Sequence, residues 1–171
     1  MAVINSNEIV NLANLALVPP VMPQAKTNGG QIHSITSIVN IATTDSATST
    51  WRIARLPSNA LLHQLTVSTT AQTGSTDFDI GIAYNPDKAS GAVIVVDGVS
   101  KVNRLADALT LATASRSLDG LKDVSIADSA KELWELAGLS ADPKCSLDII
   151  LTANTIGTAG GTCGFKIEYK V

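Results

Sequence analysis

The stretch from Trp51 to Tyr84 constrains the fold more than any other part of the sequence. In residues 78–84, FDIGIAY, large apolar side chains occupy every second position, and small or acidic residues stand between them. This period of two is typical of a β-strand with one face in a core. Residues 51–56 and 61–67 have similar patterns, separated by a Pro57-Ser58-Asn59 turn. We therefore expect three consecutive strands in a meander.

Two further segments predict strands. Residues 32–42 are mostly Ile, Val, Ser and Thr, with Ile35, Val39 and Ile41 on one parity. The i, i+3 spacing of isoleucines in this segment also allows a helix, but β-branched residues favour a strand. Residues 91–96 form a short continuous apolar run, which predicts an interior strand covered on both faces.

The end of the chain predicts two more strands. Residues 147–151 are apolar except for Asp148, and residues 163–171 alternate without interruption. The glycine-rich loop between them predicts a hairpin. In the antiparallel register of that hairpin, Cys145 and Cys163 lie too far apart for a disulfide. We expect both cysteines to act as small apolar residues.

A helical insertion interrupts the strand patterns. Val102, Leu105, Ala106 and Leu109 fit the helix template, and Ser100 can cap it. The segment that follows, residues 113–127, has no clear period, although its last six residues can hold a short strand.

A second predicted helix has clearer start and stop signals. Residues 129–132, SAKE, have the spacing of a capping box. Leu133, Trp134, Leu136 and Ala137 supply an apolar face, and Gly138 stands where a C′ glycine ends a helix.

About eight short strands with regular turn signals indicate a fold class. We expect a mainly β protein, an antiparallel jelly-roll-like β-sandwich over residues 31–171 with one or two short helices. Residues 1–30 predict a separate N-terminal arm. Its short amphipathic helix ends at Pro19-Pro20, and Pro23 with Gly29-Gly30 forms a hinge. The arm can dock on its own domain or on another subunit.

The composition indicates a surface that neighbours cover. Of the 171 residues, 16% are charged, against about 25% in typical globular domains. We therefore expect a homo-oligomer, a dimer or trimer. The net charge is −3 and the Lys and Arg residues are scattered, so neither nucleic acid nor an anionic membrane is an expected partner. The N-terminus has no basic signal region and no apolar run reaches a membrane span, which predicts synthesis in a cytoplasm and a soluble product.

Candidate chemical groups are few. His33 and His63 lie inside strand patterns without a metal-ligating neighbour at the right spacing, which favours structural roles. Asp77 and Asp79 share a strand face and could hold a hard cation, but a solvated polar face explains them better. None of the common nucleophile, zinc or phosphate-binding motifs is present in the sequence. We expect no enzyme activity, no cofactor and no metal.

The aromatic residues allow two interpretations. Trp51, Trp134, Tyr84 and Tyr169 can form a platform on which sugars stack, or they can pack in the core. Each lies on the apolar side of its predicted element, so packing is favoured.

Three motifs, in this order, resemble a known group of proteins. They are residues 51–60 (WRIARLPSNA), 76–84 (TDFDIGIAY) and 133–143 (LWELAGLSADP). Together they resemble capsid decoration, or cement, proteins of tailed bacteriophages over about residues 51–171. The chain departs from that group after Gly91, where an acidic-aromatic segment is common and this sequence has VVDGV at residues 95–99.

The resemblance implies a function and a location. A decoration protein is a β-sandwich that binds the outer surface of an assembled capsid, across joints between major capsid protein subunits, and stabilises the virion without catalysis. The arm is then a candidate clamp. Its candidate partner-binding residues are Ile4, Ile9, Leu12, Leu15, Leu17 and Val21.

The alternative is a phage tail or receptor-binding β-module. Such a module would expose aromatic side chains beside a polar groove, whereas a decoration protein would bury a low-charge footprint. Because aromatic residues make up only 4% of the sequence, the decoration protein is favoured.

Overall fold

The computed structural model of the chain describes residues 30–85, 94–96 and 99–171. Within these ranges it has a short helix, α1 (Leu133–Leu136), and a 3-10 turn at Ile126–Asp128. The strands are β1 (His33–Ile41), β2 (Thr50–Pro57), β3 (Leu61–Thr69), β4 (Asp77–Tyr84), β5 (Val95–Val96), β6 (Val99–Ser100), β7 (Ala106–Leu109), β8 (Ser115–Asp119), β9 (Ser146–Thr155) and β10 (Gly161–Lys170).

Two four-stranded antiparallel sheets form the sandwich. The first sheet has the order β1-β10-β3-β8, and the second has the order β2-β9-β4-β7. Each strand pairs with its mirror in the sequence: β1 with β10, β2 with β9, β3 with β8 and β4 with β7. A long antiparallel ribbon rolled into two sheets has this topology, so the predicted jelly-roll-like sandwich is confirmed.

The core lies between the two sheets. Phe78 on β4 and Phe165 on β10 are almost completely buried and belong to one continuous cluster. On β1, Val39 and Ile41 are buried and Ile35 is half-buried, which confirms the predicted parity of that strand.

The tryptophans lie at the margin of this core. Trp51 is half-buried, with its ring centroid 6.3 Å from that of Phe78. Trp134 is also half-buried against the core, and its Nε1 donates a hydrogen bond of 2.6 Å to Glu132. Both residues therefore pack as predicted, though neither is fully enclosed.

The predicted meander is wrong. β2, β3 and β4 are strands, but they alternate between the sheets, and β9 lies between β2 and β4. Alternating side chains show which face of a strand is buried, whereas they carry no information about which strand lies beside it. The loops that follow Pro57 and Thr69 carry the chain across the core instead of reversing it within one sheet.

The predicted C-terminal hairpin is wrong for the same reason. β9 and β10 belong to different sheets, so residues 156–160 cross the sandwich. Cys163 lies between Val39 and Thr69, its neighbours on β1 and β3. Cys145 and Cys163 are free thiols, the first half-buried and the second buried.

The helix predicted from Val102 to Leu109 is also wrong. Residues 106–109 form β7, in which Ala106 pairs with Ile80 and Leu109 with Phe78. Ala106 and Leu109 are three residues apart on β7, but their partners on β4 are two residues apart. The extra residue forms a bulge, which points Ala106 and Leu109 to the same face although their spacing is that of a helix.

The remaining elements agree in part. The second predicted helix is present as α1, and Gly138 has the positive φ of 76° expected of a C′ glycine. Its capping box, however, joins Glu132 and Glu135 instead of Ser129 and Glu132. No strand occupies residues 122–127, which form turns, and β8 was not predicted. In the predicted strand 91–96, Ile94 is buried and β5 follows it, while residues 91–93 lie outside the described ranges.

β4 is buried on both faces, although its alternation predicts one solvated face. Its outward residues include Gly81, over which the chain passes at Lys101 and Val102. The Ile82 N–H donates a 3.1 Å hydrogen bond to the Lys101 carbonyl. A Cβ added at Gly81 would lie 2.2 Å from both carbonyl oxygens, so only glycine allows this close approach.

We expect Gly81→Ala to destabilise the protein by about 1 to 3 kcal/mol or more, because backbone must move to relieve the contact. Gly164→Ala on β10 is the matched control, since its Cβ would meet no atom closer than 4.0 Å. Thermal unfolding followed by circular dichroism measures both. Equal melting temperatures for the two variants would contradict the covering of β4 by residues 101–102.

Candidate interaction surface

The arm residues predicted to bind a partner are not described by the structure. Ile4, Ile9, Leu12, Leu15, Leu17 and Val21 all lie outside the described residues. Their role, and the domain boundary near residue 30, stay predictions. The described sandwich contributes surfaces of its own, and its two outer faces differ strongly.

The outer face of the second sheet is closed. At its centre, Asp148 and Ile150 on β9 are 1% and 2% exposed. The Asp148 carboxylate accepts hydrogen bonds from Arg52 at 2.5 Å and from Arg55 Nε at 2.9 Å. The two guanidinium groups remain partly exposed and cover the carboxylate, so its charge is paired on both sides.

Asp79 on the same face is buried, whereas a solvated position was expected. It is 3% exposed and accepts hydrogen bonds from the Ala108 N–H at 3.1 Å and from Asn154 Nδ2 at 2.8 Å. Burial raises the pKa of Asp79, and the neighbouring Asp107 carboxyl raises it further, against the lowering effect of its two donors. The hydrogen bonds of Asp79 to Ala108 and Asn154 therefore help to close the outer face of the second sheet.

No described segment covers the outer face of the first sheet. Its side chains alternate with core residues such as Val39 and Phe165 and point away from the sandwich. Most are small and polar, and the two charged residues that β10 places there, Lys166 and Glu168, form an ion pair of 2.6 Å. Asp119 on β8, opposite Thr66, adds a charge at the margin of this side. We call this set the open face: Ser34, Thr36, Ile38, Asn40, Gln64, Thr66, Ser68, Thr162, Gly164, Lys166 and Glu168.

A shallow depression marks one end of the open face. It has a volume of about 590 Å³ and is lined by Ser68, Thr70, Thr162, Gly164 and Arg116, among others. Gly164 lacks a side chain between the neighbouring strands, which lowers the surface there. Ile38 is opposite Gly164 on β1 and is 70% exposed. An apolar side chain beside a concave polar surface suits contact with another protein.

The histidines and acidic residues of the described part of the chain do not gather into a metal-binding cluster. No group of three His, Cys, Asp or Glu side chains comes close enough there to hold a metal ion. His33 is exposed and stacks on Tyr169 at 5.4 Å between ring centroids. His63 is exposed as well, because a register shift opposite Tyr169 leaves it out of the alternation.

The surroundings of the buried Cys163 thiol do not favour its reaction as a nucleophile. Cys163 receives a hydrogen bond from Gln72 Nε2 at 3.1 Å, and burial raises its pKa. A thiol with a raised pKa is a poor nucleophile. No helix in the described residues is long and apolar enough to cross a membrane.

No aromatic platform lies on the described surface. All six Phe, Trp and Tyr residues of the chain fall within the described ranges, and each is buried or half-buried. The interpretation of the aromatic residues as packing residues is therefore confirmed.

Comparison with known proteins relates this fold to phage shells. No protein-family model and no curated protein matches the sequence. The structure is similar to a chain of the cyanophage Pam1 capsid asymmetric unit, with a TM-score of 0.51 and 14% identity over 84% of this chain and 86% of that chain. It is also similar to a chain of the Ralstonia phage GP4 capsid, with a TM-score of 0.55 and 15% identity over 82% and 84%. The chain shares its fold with proteins of phage capsids.

The open face was missed at the level of sequence, although a signal was present. The alternation that assigns Ile35, Val39 and Ile41 to the core also places Ser34, Thr36, Ile38 and Asn40 on the opposite side. What the sequence lacks is the sheet order, which decides whether such outward rows form one surface.

We expect Asp107→Asn to raise the melting temperature at pH 7 and to leave it unchanged near pH 3. Because the pKa of Asp79 is raised in the folded state, the stability it contributes is complete below its unfolded value of 3.8 and is lost as the pH rises through the folded pKa. Removing the Asp107 charge reduces that loss. Thermal unfolding at both pH values tests this.

Asp123→Asn is a control for which we expect the opposite effect on the melting temperature at pH 7. Asp123 accepts the Asp107 N–H at 2.7 Å, and this bond lowers its pKa. Its contribution is therefore present at neutral pH and lost in acid, so the variant should melt lower at pH 7. A lower melting temperature for Asp107→Asn at pH 7 would contradict the assignment of repulsion to the Asp79 and Asp107 pair.

Proposed function

We propose that this chain is a decoration, or cement, protein that binds the outer surface of an assembled phage capsid and stabilises it. The observation that carries the proposal is the likeness of its jelly roll to chains of two phage capsids, over more than four fifths of each chain. The motif order in residues 51–143 supports the same assignment independently of the structure.

The open face is the proposed footprint on the major capsid protein. It presents hydroxyl groups, an exposed isoleucine and one internally paired ion pair. Its hydroxyl groups and its few charges must find partners on the shell when the face is covered, because buried polar groups are costly unless they are hydrogen-bonded. The closed second sheet already uses its outer side chains within the chain and offers fewer groups to a partner.

The proposed action is mechanical and not catalytic. The described residues hold no cluster that could bind a metal ion, and burial raises the pKa of the Cys163 thiol. A decoration protein adds contacts across the joints of a shell, and many weak sites per shell give a large combined effect. A receptor-binding module is the rival function, but the buried or half-buried state of every aromatic ring argues against sugar stacking.

The arm is proposed as a second contact. Ile4, Ile9, Leu12, Leu15, Leu17 and Val21 supply apolar side chains in a segment with one charged residue before Pro19. Burial of each large apolar side chain contributes about 1.5 to 3 kcal/mol before ordering costs. A clamp of this strength would raise capsid occupancy many-fold while leaving the sandwich core unchanged.

We expect Gly164→Arg to reduce binding to undecorated capsids at least tenfold, because the new side chain fills the depression and adds a charge at the footprint. Gly164→Ala should bind like the unchanged protein, since its Cβ has room. Co-sedimentation with purified capsids over a range of protein concentrations measures the affinity. Unchanged binding by the arginine variant would place the footprint elsewhere.

We expect a shortened chain that begins at Gln31 to melt normally and to bind capsids more weakly. The described core cluster runs from Ile35 onward, and its residues contact one another within the sandwich. The same two measurements apply. Full saturation of capsids at unchanged affinity would exclude the arm as the clamp, whereas a large fall in melting temperature would mean that the arm packs on its own domain.

A further inference from the structure

The first strand of the sandwich is a sheet edge along which no described segment lies. β1 has nine residues and pairs with β10 through nine consecutive positions without a register shift. Its sequence, HSITSIVNI, has no Lys, Arg, Asp, Glu or Pro. No backbone hydrogen bond joins β1 to a described segment other than β10. A long, regular, uncharged edge is a template for another strand.

The other three edges of the two large sheets carry features that oppose pairing. β2 has a bulge next to Arg52, a second arginine at Arg55, and Pro57 at its end. β7 is four residues long, with a bulge and a positive φ of 52° at Ala108. β8 is five residues long and has both a register shift and charged residues. β1 is therefore the exception among these edges, which points to a partner strand.

The hydrogen bonds of β10 show which groups of β1 are available. The Thr162 carbonyl accepts the Thr70 N–H, so the peptide groups of Thr162 and of every second residue after it point toward β3. The intervening residues of β10 bond to His33, Ile35, Ser37 and Val39 on β1. The N–H and C=O groups left facing outward belong to Ser34, Thr36, Ile38 and Asn40.

We propose that β1 pairs antiparallel with β1 of a second copy of this chain, about a twofold axis at Ser37. In this register Ser34 bonds to Asn40 of the copy and Thr36 bonds to Ile38, each pair exchanging both N–H···O bonds. Ile35 then stands beside Val39, and the two Ser37 residues face each other as a closely spaced non-hydrogen-bonded pair.

Three features favour a second copy over an unrelated strand. The register places Ile35 beside Val39 on the inner side, Ser34 beside Asn40 on the outer side, and Ser37 beside its counterpart. The strand is uncharged, so like charges never meet across the axis. The Ser37 hydroxyl is out of contact with solvent and has no partner among the described residues, and rotation about χ1 lets it bond to its counterpart.

The pairing also has a consequence for the open face. A twofold axis perpendicular to the sheet joins the two first sheets edge to edge with their outer sides on the same surface. The open faces of two copies then form one continuous surface. Ile38, which is 70% exposed in the single chain, comes to lie beside Thr36 of the copy within that surface.

Purified full-length protein, without capsids, tests the proposal, so the result is independent of the proposed function. Sedimentation velocity at micromolar concentration should show a dimer. Thr36→Pro should be monomeric, because proline removes an outward N–H while the bonds to β10 remain. Thr36→Val keeps that N–H and should stay dimeric. A monomeric unchanged protein, a trimer, or a dimer that survives Thr36→Pro would each overturn the proposal.

Cross-linking tests the register even where the proline variant fails to fold. Ser37→Cys should form a covalent dimer under mild oxidation, because opposite residues of a non-hydrogen-bonded pair have Cα atoms about 4.5 Å apart, within the range for a disulfide. Ser34→Cys is more exposed but faces Asn40 of the copy and should not cross-link. The unchanged chain controls for its own two cysteines. Cross-linking of Ser34→Cys in preference to Ser37→Cys would overturn the register, and cross-linking of neither would overturn the pairing.

Discussion

The structure depends on the placement of the last two strands. β10 lies between β1 and β3, and β9 lies between β2 and β4, so each closes a sheet whose other strands come from much earlier in the chain. β9 is buried from Leu147 to Ala153, on both faces. Because the second sheet is incomplete without β9 and the first without β10, each sheet depends on pairings between residues far apart in sequence, and we infer a slow folding reaction dominated by non-local contacts.

This closure leaves the two outer faces with different roles. On the second sheet, the segment at residues 101–102 crosses Gly81, and arginines on β2 cover Asp148. The buried acidic side chains of that face, Asp148 and Asp79, are thus bonded within the chain. The first sheet receives no such cover from the described residues, and its hydroxyl-rich face and its regular edge strand remain available. The first sheet thus offers two kinds of contact. Its outer face suits a broad protein surface, and its edge strand β1 suits a single partner strand.

The sequence predicted what depends on local periodicity. The strand at residues 32–42, the alternation of residues 78–84, the glycine after α1 and the packing of the aromatic residues all follow from the spacing of apolar and turn residues. The meander, the C-terminal hairpin and the helix at Val102–Leu109 failed because each required knowledge of strand neighbours. Ala106 and Leu109 illustrate this, since a bulge opposite β4 gives strand residues the spacing of a helix. The open face could not be predicted from the sequence, because it depends on the order of the strands in the sheet, which the pattern of a single strand does not show.

If the proposed function is right, this jelly roll sits on the outside of a phage shell with its open face toward the major capsid protein. A cryo-EM reconstruction of capsids saturated with the purified chain tests this placement. We expect added density on the outer surface, fitted by the sandwich with Gly164 and Thr66 against the shell and Arg52 and Arg55 turned away from it. Capsids without added density, or density in which the second sheet contacts the shell, would exclude this placement.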